Sequence, residues 1–370
     1  VEIALADVVP SLLAGLDVPG MVDVVGLPRA RRVCLLLVDG LGWHLLRDHA
    51  DDAPFLASLA GGPISTGFPS TTATSIASLG TGLASGEHGL VGYSFAADGV
   101  LLNALGWNQH GVTPSADLRA VVVPEELQPR QTALERAAEA GVEVRVVAPY
   151  EQRRSGLTRA VLRGGRFEGV FALGDLTTAA IAALQADRAF CYAYHADLDK
   201  LGHVHGPGSD PWRLQLTYVD RLAELIVARL PSDGLLAVTG DHGMVAIGED
   251  DRIDFDTEPL LQAGVRMLGG EARARYLYTE PGAVDAVAET WQGVLGDRAQ
   301  VMRRDDAIEA GWFGPTVADH VRPRIGDLVV AMRGTSVVVR SAAEPLLSRF
   351  AGHHGSFTAA EQLVPLLHKM

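Results

Sequence analysis

VCLLLVDG, residues 33–40, is an unbroken apolar run that ends at a carboxylate followed by a glycine. A short continuous apolar segment closed by a turn signal reads as a strand buried on both faces, the kind found in parallel sheets. Similar β-rich runs stand at 143–148, 188–194 and 235–239, with helical patterns at 130–140, 176–186 and 212–229 between them. This alternation predicts an α/β fold, a mainly parallel central sheet with helices on both faces. In such sheets ligands gather beyond the carboxyl ends of the strands.

Chemistry-bearing residues stand at just these places. Asp39 ends LLLV, Asp199 follows AFCYAY, Asp241 and His242 follow LLAVTG, and Thr72 opens an expected helix over 72–82. Each has a bland reading when taken alone. Asp39 reads equally as the cap of a following helix. Asp199 and His203 in DKLGH, with His205 two residues on, read as a solvated polar loop or as oxygen and nitrogen donors to one cation, a set that suits Zn²⁺ or Mn²⁺. Asp241 and His242 cap, pair or ligate, and His353 and His354 in GHHG offer one more imidazole. In FPSTTATS, residues 68–75, any hydroxyl serves as a cap, whereas one held against a metal becomes a nucleophile. Neither a G-x-S-x-G elbow nor a G-x-x-x-x-G-K-[ST] loop is present to suggest other hydrolytic chemistry.

Composition narrows the classes. With 370 residues and 48% hydrophobic content, the chain is long enough for a large core, and a disordered or fibrous chain is excluded. The formal net charge of -14 argues against polymeric nucleic acid or a membrane surface as partner, since both need clustered Lys and Arg. An anionic substrate is then attracted locally, and bound divalent cations supply that attraction. Cys34 and Cys191 lie in apolar runs and read as inert core thiols. The first twenty residues carry Glu2, Asp7 and Asp17 without a basic start, which does not fit a signal peptide, and no uncharged stretch reaches spanning length. A soluble cytoplasmic protein is expected. The texture changes after His242, so we expect a catalytic core over 1–249, an inserted α+β cap over 250–345 and a return to the core over 346–370.

Taken together and in order, the motifs resemble the alkaline phosphatase superfamily and, within it, the nucleotide pyrophosphatase/phosphodiesterase branch. The likeness runs from about 33 to 357: a strand-ending Asp, F-P-x-x-T followed by T-G and H-G, D-x-x-G-H, D-H-G-M and a final G-x-H-G. It implies an alkaline-phosphatase-like core binding two divalent metal ions, Zn or Mn. Asp39, Thr72, Asp241 and His242 would surround one ion, and Asp199, His203 and His354 the other, leaving His205 and His353 outside the ligand set. It also implies that Thr72 is the nucleophile and passes through a phosphothreonine.

One position departs from the branch. Where those phosphodiesterases place an Asn to bond the phosphoryl oxygen, this chain has Tyr93, whose phenol can donate to the same oxygen or serve only as a packing aromatic. The substrate implied is a small nucleotide or phosphate ester. Composition further resembles an actinobacterial branch that hydrolyses cyclic di-AMP to AMP through pApA, which makes cyclic di-AMP the leading substrate. A phosphomonoesterase or phosphonate hydrolase of the same superfamily, or a non-catalytic nucleotide-binding metalloprotein, are the alternatives. Trp107, Tyr150, Trp212, Trp312 and Phe313 read either as base-stacking groups or as core aromatics.

Overall fold

The strand Arg32–Val38 occupies the middle of a seven-stranded sheet in a computed structural model that describes residues 3–370. Glu2, which entered the reading of the N-terminal segment, lies outside the described residues. From one edge to the other the sheet runs Ala60–Ser65, Leu363–Lys369, Gly234–Gly240, Arg32–Val38, Ala189–His195, Glu143–Pro149 and Arg166–Val170. The last five pair in parallel, and Leu363–Lys369 runs antiparallel to both of its neighbours. The fold is therefore α/β with a mainly parallel sheet, as the alternation of runs predicts.

Burial on both faces explains the unbroken apolar run. Val33, Leu35 and Leu37 point into one core with Ile76, Ala77 and Leu134, while Cys34 and Leu36 point into the other with Leu176, Trp212 and Leu216. Successive strand residues face opposite sides, so a strand covered by helices on both sides has no position for a polar residue. Cys34 and Cys191 sit opposite each other in register as buried free thiols. The flanking helices are Ala133–Glu139, Leu173–Ala182 and Asp210–Val227. The first starts later than its pattern suggests because Thr132 and Glu135 form a capping box, each accepting from the other's backbone N–H.

Residues 265–332 build a separate antiparallel sheet in the order Val265–Glu271, Ala274–Thr279, Leu328–Met332, Ala299–Arg303. Helix Val284–Leu295 covers one face, with Trp291 fully buried. Val337–Val339 pairs in parallel with Arg252–Asp254. A three-stranded sheet of Ser94–Ala97, Val100–Asn103 and Asn108–Gln109 docks on Val265–Glu271, where Ser94 Oγ donates to the Gly270 carbonyl at 2.8 Å. The wall facing the core thus draws on two distant segments of chain. Among the described residues, no helix is long and apolar enough to cross a membrane.

Candidate metal centre

Three neighbouring strands of the central sheet deliver the acids. Asp39 directly follows Arg32–Val38 and Asp241 directly follows Gly234–Gly240, while Asp199 lies in the first turn of helix Asp197–His205, which begins just after Ala189–His195. Gly40 allows this convergence: it adopts φ 76°, and a Cβ there would lie 2.9 Å from the Cα of Asp199. Thr72 opens the wholly buried helix Thr72–Thr81. His354 arrives from the far end of the chain, after Gly352–His353 has paired with Val245–Ala246.

The fold brings the seven residues singled out by the motifs into two groups. Asp39, Asp241 and His242 form one set, and Asp199, His203 and His354 the other, with the potential ligand atoms of each set within 4.8 Å of one another. Thr72 Oγ1 belongs with the first set, 3.2 Å from His242 Nε2 and 3.5 Å from Asp39 Oδ1. The sets adjoin, since the rings of His242 and His354 stack with centroids 3.5 Å apart. His205 is exposed and stands apart, whereas His353 is buried beside His203.

All three imidazoles are held in the same sense. Nδ1 of His242 faces the Gly243 carbonyl at 2.9 Å, that of His203 the Gly352 carbonyl at 2.8 Å, and that of His354 the Ser70 carbonyl at 2.9 Å. A carbonyl only accepts, so each Nδ1 carries a proton and each Nε2 is turned toward the acids of the site. Tyr194 donates its hydroxyl to Asp39 Oδ2, and the Gly40 N–H donates to Asp241 Oδ1 at 3.0 Å, fixing both carboxylates.

The electrostatics call for positive charge. Burial, then the nearby Asp39, pushes the Asp241 carboxyl well above the usual range. Burial opposes charge on His242, yet Asp241 and Asp39 lift it well above the ordinary histidine value. Burial likewise opposes charge on Asp199, but His203 and then His354 hold it low. Asp199 Oδ1 and Asp241 Oδ2, one from each set, are buried without a hydrogen-bond partner. Carboxylates and Nδ1-protonated imidazoles with an orphaned oxygen in each set fit a divalent cation at each.

Two clefts meet at Thr72 and Asp199. One is lined by His203, His354, Tyr93, Glu271, Phe350 and His353. The other runs over Asp39, Tyr194, Glu151, Gln152, Thr158 and Lys200. Tyr93 stands on the wall of the first, its phenol pushed up to about 12 by burial against the opposing hydrogen bond of Asn103. Trp107, Trp212 and Phe313 are core aromatics, fully buried and closed to a ligand, and Tyr150 is exposed, stacked on Phe171. Motif reading missed Glu271 and Glu344. Arg275 bonds both oxygens of Glu344 at 3.1 and 2.8 Å, and His110 meets Oε1 at 2.8 Å. Neither acid lies in a recognisable pattern, because each reaches the cleft by tertiary folding alone.

Comparison with known proteins agrees with this geometry. Residues 33–357 match the family model described as type I phosphodiesterase/nucleotide pyrophosphatase. Among solved structures, murine ectonucleotide pyrophosphatase/phosphodiesterase 5 in complex with AMP superposes with TM-score 0.69 at 16% identity, covering 91% of this chain and 87% of that one. Phosphonoacetate hydrolase from Sinorhizobium meliloti 1021, in complex with phosphonoformate, gives TM-score 0.66 at 18% identity over 92% and 90% of the two chains. At these identities the likeness shows the fold. Curated relatives match over shorter spans. The catalytic subunit of human GPI ethanolamine phosphate transferase 3 is 39% identical over 57 residues, 15% of this chain and 5% of its own length. Phosphopentomutase from Anaeromyxobacter sp. (strain K) is 32% identical over 172 residues, 46% of this chain and 42% of its own. A family match across most of the chain, laid on the alkaline-phosphatase-like fold, identifies it: the chain belongs to the type I phosphodiesterase/nucleotide pyrophosphatase family.

Proposed function

We propose that the protein hydrolyses phosphate diesters of small nucleotides through Thr72, with cyclic di-AMP the leading substrate, opened to pApA and then cleaved to AMP. The observation that carries this reading is the position of Thr72 Oγ1, beside Asp39 and His242 and at the junction of two clefts. A phosphorus centre with one substituent in each cleft would sit within reach of that oxygen, and a purely structural metal site has no use for a poised hydroxyl.

In this reading Asp39, Asp241, His242 and Thr72 surround one cation, and Asp199, His203 and His354 hold the other. Divalent cations in these places supply charge neutralisation at the phosphoryl oxygens and lower the pKa of the Thr72 hydroxyl. Thr72 Oγ1 forms the new bond to phosphorus as the bond to the leaving alcohol breaks in line, giving a phosphothreonine. The residue that follows the helix cap also matters: Thr72 starts a buried ten-residue helix, whose first N–H groups favour an anion at that end. Water then cleaves the phosphothreonine and restores the hydroxyl. Tyr93, which lines the cleft of His203 and His354, would donate its phenol to a phosphoryl oxygen.

The deciding experiment is a screen of cyclic and linear dinucleotides, with product analysis, in the presence of Mn²⁺ or Zn²⁺ and again with a chelator. We expect metal-dependent release of AMP from pApA and of pApA from cyclic di-AMP. Absence of metal-dependent turnover on every phosphate ester would favour a nucleotide-binding metalloprotein instead.

A further inference from the structure

The cleft shared by His203 and His354 carries two polar side chains whose hydrogen-bonding capacity the protein leaves unfilled. Glu271, at the end of Val265–Glu271, accepts from Thr71 Oγ1 at 3.2 Å through Oε2, while its Oε1 has no partner. A carboxylate has room for about four hydrogen bonds, so most of this capacity is unused. His353, only 5% exposed, has no partner at Nε2. Buried polar groups are normally satisfied, and two exceptions on one cleft wall need a reason. Gly355, with φ 133°, makes room for one of them, since a Cβ there would lie 2.9 Å from Cδ of Glu271.

The direction of displacement assigns these groups to one half of the substrate. Thr72 and Asp199 line both clefts, but Asp39, from the set that holds Thr72, lines only the opposite one, and His203 and His354, from the second set, line only this one. An in-line attack from Thr72 therefore sends the leaving oxygen toward the second set, and the rest of the leaving group into the cleft of Glu271 and His353. None of the described residues lining that cleft is Lys or Arg. Arg275 lies behind its wall, engaged by both oxygens of Glu344. Lys200 lines the other cleft, where it pairs with Asp197 at 2.9 Å.

Building on the phosphodiesterase reading above, we propose that Glu271 and His353 determine specificity for the leaving half of the substrate. They receive a hydroxyl-rich sugar that departs through its alcohol oxygen, such as the ribose on the leaving side of a dinucleotide, and the cleft disfavours a leaving group that begins with a second phosphate. A hydroxyl both donates and accepts, which suits a carboxylate and an imidazole on one wall. A second phosphate would find no Lys or Arg among the described residues lining this cleft. The substrate class is thereby narrowed from nucleotide esters in general to diesters between sugar alcohols, at the expense of pyrophosphate bridges.

The test compares kcat/KM for two adenosines joined by a 3′,5′-phosphodiester with kcat/KM for two adenosines joined 5′ to 5′ by a pyrophosphate. Wild type, Glu271→Gln and Glu271→Ala are assayed with Mn²⁺, alongside thermal melting. We expect wild type to favour the phosphodiester, and the Glu271→Ala change to lower that preference about tenfold, mainly through KM on the phosphodiester, as loss of one buried hydrogen bond allows. The isosteric Gln variant is expected to move the same way by a smaller factor, and it decides the matter if the Ala variant fails to fold. A wild-type preference for the pyrophosphate would overturn the proposal. So would variants that slow both substrates by the same factor, because Glu271 would then only brace Thr71. Wild-type enzyme inert on both would instead sink the phosphodiesterase reading on which the proposal stands.

Discussion

The ends of the central strands and the wall formed by residues 94–109 and 265–345 are built in opposite ways. At the strand ends, acids follow apolar runs directly, and adjacency in the sheet brings Asp39, Asp241 and Asp199 together whatever their distance in sequence. On the wall, Glu271 and Glu344 converge from separate places through side-chain packing, with Arg275 and His110 fixing Glu344. The first arrangement sets charge and geometry for one kind of reaction. In the proposed reading the second sets which molecule receives it, in line with the habit of active sites to keep chemistry on rigid elements and selectivity on what surrounds them. Perturbing the strand ends should therefore strike the rate, and perturbing the wall should strike stability or selectivity.

The most severe test of this contrast is Thr72→Ala. Removal of a nucleophile that forms the covalent intermediate should cost about 10⁴-fold or more in kcat. Metal content measured by elemental analysis should stay near wild type, because Asp39, Asp241 and His242 remain as a set. A Thr72→Ala protein with wild-type turnover would remove Thr72 from the centre. The wall has no residue whose loss should act on kcat to that degree.

Glu344→Gln turns the contrast toward stability. Glu344 is buried with both oxygens on Arg275, and the substitution leaves that guanidinium charged without its counter-ion, a loss of about 3–5 kcal/mol. Burial opposes ionisation of Glu344, but Arg275 and the hydrogen bond from His110 hold its carboxyl well below the usual value of 4.5. A carboxyl with a depressed folded pKa contributes stability that is complete above its unfolded pKa and is lost as pH falls toward the folded one. Denaturant titrations should therefore show a constant gap between wild type and Glu344→Gln at pH 6–8, narrowing below about pH 4.5. A gap that widens on acidification would contradict the ion pair.

The same division explains what could be read in advance. Asp39, Asp241 and Asp199 were legible because each sits at or just past a strand end, where a carboxylate after an apolar run stands out. The order of the central strands was not, since nothing in the runs themselves says that Leu363–Lys369 inserts between Gly234–Gly240 and Ala60–Ser65. Gly61, Gly62 and Pro63 look like a turn and yet form an edge strand. Pro63 lies opposite Pro365 in the antiparallel pair, and a Cβ at Gly61 would strike the Leu366 carbonyl at 2.0 Å. Close backbone approach selects glycine there, and propensity is overridden by tertiary pairing. Glu271 ends GGE, a tripeptide with no pattern, and acquires meaning only from Thr71 and Gly355 beside it.

Tyr93 lies where the two regions meet, and it offers the smallest and sharpest test. It is carried on the segment after the H-G motif of the core, yet its surroundings are those of the wall: its ring meets His110 edge-on at 5.4 Å, and Tyr276 donates to the Val91 carbonyl just before it. If the phenol donates to a phosphoryl oxygen as charge develops, Tyr93→Phe removes one hydrogen bond while keeping the packed ring. A net loss of about 1–1.5 kcal/mol then lowers kcat roughly five- to tenfold and leaves KM nearly constant. If the ring only packs, the same change leaves both parameters as they were. A rise in KM at constant kcat would place Tyr93 with the wall, as a group that holds substrate and transition state equally. Steady-state kinetics on pApA distinguishes the three outcomes, and a fall in kcat alone is the one expected.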